Sequence, residues 1–171
     1  MVGIGTNQMT IHDIEKHYDL RGATKVVYSP CVRTLCIAPY YGHPKGCPNF
    51  GKKPDCPPKA PLFLDLYTKV VFVISVRFDF AGYIMMRSIE HPDWSDRMLR
   101  NPLYWQGHVN KHLRKYVFGT IKQTAFRHLK AVFNPEGMGI DVTSTCDSVG
   151  IKLEWPPEKY VHKVALLAKP K

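Results

Sequence analysis

The chain has 171 residues, 44% of them apolar and 22% charged, with a formal net charge of +10. This length suits one domain spanning 1–171, and the composition excludes wholesale disorder. The longest apolar run, residues 70–74, falls far short of the roughly 18–20 residues that span a bilayer.

The opening MVGIGTNQMT lacks the basic start and apolar block of a secretory signal, so the expected location is the cytoplasm, with no membrane contact. The basic balance favours anionic small molecules or polyanions as partners.

In chain order, TIHDIEKHY at 10–18 predicts a short helix capped by Thr10 or Asp13, with Ile11 and Ile14 on one face. Residues 25–28 form a short strand candidate. Residues 30–61 hold eight prolines, three glycines and four cysteines, a composition that denies them regular helix or sheet. An irregular loop of this length is reasonable where something at its centre replaces a core.

Residues 70–80 predict a strand whose first half is buried on both faces. Two prolines, Pro92 and Pro102, break 81–102 into short helical pieces. Residues 103–130 predict the longest helix, because Trp105, Val109, Leu113, Val117, Ile121, Ala125 and Leu129 recur every four positions. Lys111, Arg114, Lys115 and Lys122 load its other face. A short helix follows, started by Asp141 and ended by Gly150, and a final strand lies near 161–168. The expected fold is a single α/β or α+β domain, a small sheet packed on the long helix and capped by the cysteine loop.

Four cysteines, Cys31, Cys36, Cys47 and Cys56, follow the spacing C-x4-C-x10-C-x8-C, and Cys146 stands apart. An odd, clustered set in a cytoplasmic chain points to metal before disulfides. Thiolates are soft ligands suited to zinc or iron–sulfur centres. Only the first pair has zinc-knuckle spacing. The longer gaps suit a larger object approached from several directions, such as a [4Fe-4S] cluster, with zinc as the alternative. Pro48 and Pro57-Pro58 fix the exits from Cys47 and Cys56. Arg33, Lys45, Lys52, Lys53 and Lys59 are expected to lower the thiol pKa values.

Cys47-Pro48-Asn49-Phe50-Gly51-Lys52, ending in Cys56-Pro57-Pro58, resembles the signature of a poorly characterised family of predicted metal-binding proteins. The stretch 135–142, PEGMGIDV, followed by Val149-Gly150-Ile151, is similar to that family's C-terminal block. The resemblance implies metal binding, without implying a reaction. Family members often carry a second cysteine-rich stretch, and residues 124–134 here contain no cysteine, so one centre is expected.

Such a centre would serve a redox partner by electron transfer, or act as a Lewis acid on a small ligand if one iron lacks a thiolate. His43, inside the loop, is a candidate ligand or proton donor. His108 and His112, at i and i+4, can share a metal only with a third ligand and otherwise belong on the solvated helix face. Cys146 reads as a buried thiol, with replacement ligand as the alternative. The second functional reading is a zinc-stabilised nucleic-acid-binding module, with the basic helix along phosphates and Tyr40, Tyr41, Phe50 and Tyr104 stacking on bases.

Overall fold

A computed structural model describes residues 10–39 and 43–171. Tyr40 and Tyr41 lie outside the described residues, as does the 1–9 segment.

The fold is α+β. Four antiparallel strands, β1 (Lys16–Lys25), β2 (Tyr67–Asp79), β3 (Lys130–Val132) and β4 (Tyr160–Pro170), form one sheet in the order β1-β2-β4-β3. Among the described residues, five α-helices punctuate them: α1 (Phe63–Leu66), α2 (Phe80–Glu90), α3 (Asp96–Leu99), α4 (Gln106–Ile121) and α5 (Val142–Asp147).

β2 is central, which explains its continuous apolar run. Ile74, Val76 and Phe78, with Val161, Ala165 and Leu167 of β4, face Val109, Leu113 and Val117 of α4. Val71 and Val73, with Leu166 and Ala168, face the opposite way onto Phe63, Val132, Ile140, Val142 and Cys146. Both faces are therefore covered, and burial of each large aliphatic side chain contributes about 1.5–3 kcal/mol.

Two helices start at aspartate caps, the one at Asp141 as expected from the sequence. Asp79 accepts from the Gly82 amide at 3.0 Å to open α2, and Asp141 accepts from Ser144 at 2.9 Å to open α5. Gly150, at φ +77°, follows α5 in the left-handed region that favours glycine.

The helix expected at 10–18 is not formed. Residues 10–13 make a turn in which the Thr10 amide donates to the Asp13 carboxylate at 2.7 Å, and Lys16 opens β1. The physical reason is the open edge of β2. Pairing Lys16 opposite Phe78 and Leu20 opposite Ile74 satisfies that edge and places Leu20 against the α4 core. The Lys16 ammonium gathers the carbonyls of Ile11, His12 and Ile14, at 3.2, 3.2 and 2.5 Å.

The helix expected at 103–130 is shorter, Gln106–Ile121. Its apolar repeat continues, but residues 122–128 form turns that put Phe126 edge-on to Phe72, 5.2 Å between centroids. The chain then returns to add β3 opposite residues 166–168 of β4.

Candidate metal centre

The 30–61 loop is held by backbone hydrogen bonds. It opens with a 3-10 helix, Pro30–Cys36, which carries Cys31 at its exposed start and Cys36, half-buried, at its end. The Cys47 amide donates to the Cys36 carbonyl at 2.7 Å. Gly51 donates to Pro57 at 2.7 Å, and Ala60 to Cys56 at 2.9 Å. Arg33 spans the loop, donating to the carbonyls of Pro58 and Ala60 at 3.1 and 2.9 Å.

Ala60 is the only buried apolar side chain in the described part of this segment apart from Pro57. Its order therefore owes little to hydrophobic packing of its own.

Gly46 makes the Cys36–Cys47 closure possible. Its φ is +77°, and a Cβ there would lie 2.8 Å from the Cys36 carbonyl oxygen and 2.9 Å from the Ile37 Cα. Gly46→Ala is expected to destabilise the chain by about 1–2 kcal/mol from the left-handed backbone alone, with the clash additional. Urea unfolding of the variant beside the wild type measures this; an unchanged midpoint would refute it.

The loop docks on the 135–142 stretch. Asn134 donates to the Asp55 carboxylate at 2.5 Å, and Ser29 donates to Gly139 at 2.8 Å. A Cβ on Gly137 would meet the Asp55 carbonyl at 3.1 Å, and one on Gly139 the Pro30 Cα at 3.2 Å. The 47–58 and 135–142 segments are thus in contact with each other.

Cys36, Cys47 and Cys56 lie within electrostatic reach of one another. Burial pushes the Cys36 thiol up, and the Cys47 and Cys56 sulfurs and the Glu136 carboxylate push it further, against a downward pull from Arg33. Burial, then Asp55 and Cys47, raise Cys56, with Lys53 opposing. The expectation that surrounding cations lower these thiol pKa values is therefore corrected for Cys36 and Cys56. Arg33 is committed to two carbonyls, and desolvation outweighs the cations.

Cys31 lies at the other end of the 3-10 helix from Cys36. Its sulfur contacts the Ser29 hydroxyl at 2.9 Å. At about 2.0 Å per residue, five steps of 3-10 helix separate Cys31 from Cys36 by roughly 10 Å along the axis.

A single zinc ion draws its sulfurs to about 2.3 Å from itself, and so to about 4 Å from one another. Among the described residues, no group of three or more His, Cys, Asp or Glu side chains is arranged to hold one metal ion. A multi-iron cluster takes each thiolate on a different iron, so its ligands stand farther apart. Thiolates as a donor type suit zinc and iron–sulfur centres alike.

The other candidates are also placed. His43 accepts from the Gly46 amide at 3.0 Å through its carbonyl, inside the loop. Cys146 is fully buried beneath the second face of the sheet, as a structural thiol. His108 and His112 do not lie on a solvated face. They are half-buried, and His12 is the partner missed in the sequence, because it arrives from a turn almost a hundred residues away. The His12 and His108 rings meet edge-on at 4.8 Å, His108 and His112 lie 4.7 Å apart, and Tyr18 shares a 2.6 Å hydrogen bond with His112 Nδ1.

Burial, then Lys16 and the neighbouring histidines, lower His108 to about 4, and burial and Lys16 also lower His112. The unfolded chain takes up the His108 proton near 6.5, before the folded chain does. Stability is therefore complete above pH 6.5 and falls as the pH drops toward 4. With the partial exposure of this site discounted, the expected loss is about 1 kcal/mol. Urea midpoints of wild type and His108→Gln at pH 7.5 and 4.5 check it; parallel changes in the two proteins would refute it.

Comparison with protein-family models, with curated proteins and with solved structures finds no match to this chain.

Proposed function

We propose that the chain is a metal-binding protein carrying one iron–sulfur cluster in the 30–61 loop. Cys36, Cys47 and Cys56 are its core ligands, and Cys31 is the fourth. What supports the reading is four soft donors within one 26-residue stretch of a segment almost without buried apolar side chains. A cluster there supplies electron transfer, or Lewis acidity if Cys31 leaves one iron open. We assign the cytoplasm because none of the five cysteines is paired in a disulfide.

The test is metal and sulfide analysis of anaerobically purified protein. The expected result is a brown protein absorbing near roughly 400 nm, with about four irons and four sulfides per chain. Cys47→Ser and Cys56→Ser should each lose most of that iron. Stoichiometric zinc in colourless protein, or no metal at all, would overturn the reading.

A further inference from the structure

A cleft beside β4 has no role in the proposed metal chemistry. β3 pairs only with residues 166–168, so residues 160–165 of β4 have no strand on that side. Between this bare edge, α4 and the 153–157 loop lies a cavity of about 410 Å³, within the size range of small-molecule sites. A second lobe of about 220 Å³ adjoins it, and the two share Gln106, Leu153, Trp155, His162 and Lys163.

The wall of the larger lobe is aromatic: Phe80, Trp105, Trp155 and Tyr160, with Pro156 and Pro157. Trp155 is 73% exposed at the rim, an unusual position for an indole with nothing to cover it.

Most charges of the cleft are already engaged. Arg100 donates to Asp96 at 2.7 Å, and the Arg114 guanidinium lies 4.4 Å from the centre of the Phe133 ring. The Glu154 carboxylate accepts from the amides of Glu158, Lys159 and Tyr160 at 3.2, 2.9 and 3.2 Å. Lys163 is different. Its ammonium stands 5.9 Å from the Trp105 ring and makes no hydrogen bond or ion pair among the described residues. Glu136, in the smaller lobe, is coupled to Lys163 without forming an ion pair with it. His162 Nδ1, between the lobes, is buried with no partner.

We propose that this cleft binds a small aromatic carboxylate, its ring against Trp105, Trp155 and Tyr160 and its carboxylate on Lys163. A cation held beside aromatic faces in a narrow cleft is poorly solvated, so an anion meets it at low desolvation cost. The ring gains by covering Trp155. His162 Nδ1 is placed to bond a polar substituent on that ring.

The test uses the full chain as purified and 2-naphthoate as the probe, followed by tryptophan fluorescence and calorimetry. The expected result is saturable binding at one site with quenching. Lys163→Met should weaken 2-naphthoate at least about tenfold while leaving the neutral 2-naphthalenemethanol within about twofold, which also shows that the variant keeps its cleft. Trp155→Ala should weaken both probes. Absence of saturable binding to the wild type, equal affinity for the two probes, or undiminished 2-naphthoate binding by Lys163→Met would overturn the proposal. None of these outcomes depends on the metal reading.

Discussion

Phe78→Ala should destabilise the chain by about 3–5 kcal/mol, the usual cost of removing a buried phenyl ring. Phe78 is 0% exposed in the central strand. Its ring lies stacked against Trp105 at 6.0 Å and tilted against Tyr83 at 5.7 Å. It stands opposite Val161 of β4 and Lys16 of β1, so it joins the sheet to α2 and to the start of α4. The surrounding aromatics are pinned by their own elements and cannot collapse into the space left behind. Phe78→Leu, which refills much of that volume, should recover more than half of the loss. Chemical denaturation of both variants measures this, and a loss below about 1 kcal/mol for Phe78→Ala would show that the cluster does not carry the fold.

Raising the pH should expose Cys146. Burial, with Glu136 adding, pushes its thiol up from 9.0 to about 12. The folded chain keeps the proton that the unfolded chain releases near 9. Stability is therefore complete below pH 9 and is lost as the pH rises toward 12. At pH 10.5 the expected loss is about 2 kcal/mol, from 1.36 kcal/mol for each pH unit above the unfolded value. Cys146→Ala removes the titration at the cost of a small cavity. It should be the less stable protein at pH 7.5 and should lose less than wild type between pH 7.5 and 10.5. Equal slopes for the two proteins would mean that the thiolate is tolerated in the folded state. Lysine and tyrosine titrations act on both proteins alike and cancel in the comparison.

The iron–sulfur proposal and the aromatic-anion cleft meet at one residue. Glu136 raises the Cys36 thiol on one side and couples to Lys163 on the other. It belongs to the 135–142 stretch on which the cysteine loop docks.

Local pattern alone identified the elements whose stability is local or whose burial is complete. β2 was readable because a strand covered on both faces is apolar at successive positions, and β4 for the same reason at 165–168. α5 was readable from its ends, since the Asp141 cap and the left-handed Gly150 are properties of a few adjacent residues. The buried face of α4 followed from its four-residue recurrence, whereas the 3-10 helix Pro30–Cys36 stands inside a segment whose prolines argued against any helix.

Tertiary structure decided the rest. β1 is polar and half-exposed, and it is a strand because β2 offers unpaired backbone groups beside it, a fact absent from residues 16–25 themselves. The repeat at 103–130 outran its helix because β4 required an edge strand at 130–132. The three-histidine contact and the cleft around Lys163 each join residues from distant parts of the chain. Periodicity reports which face of an element is buried, and it carries no information about what stands opposite.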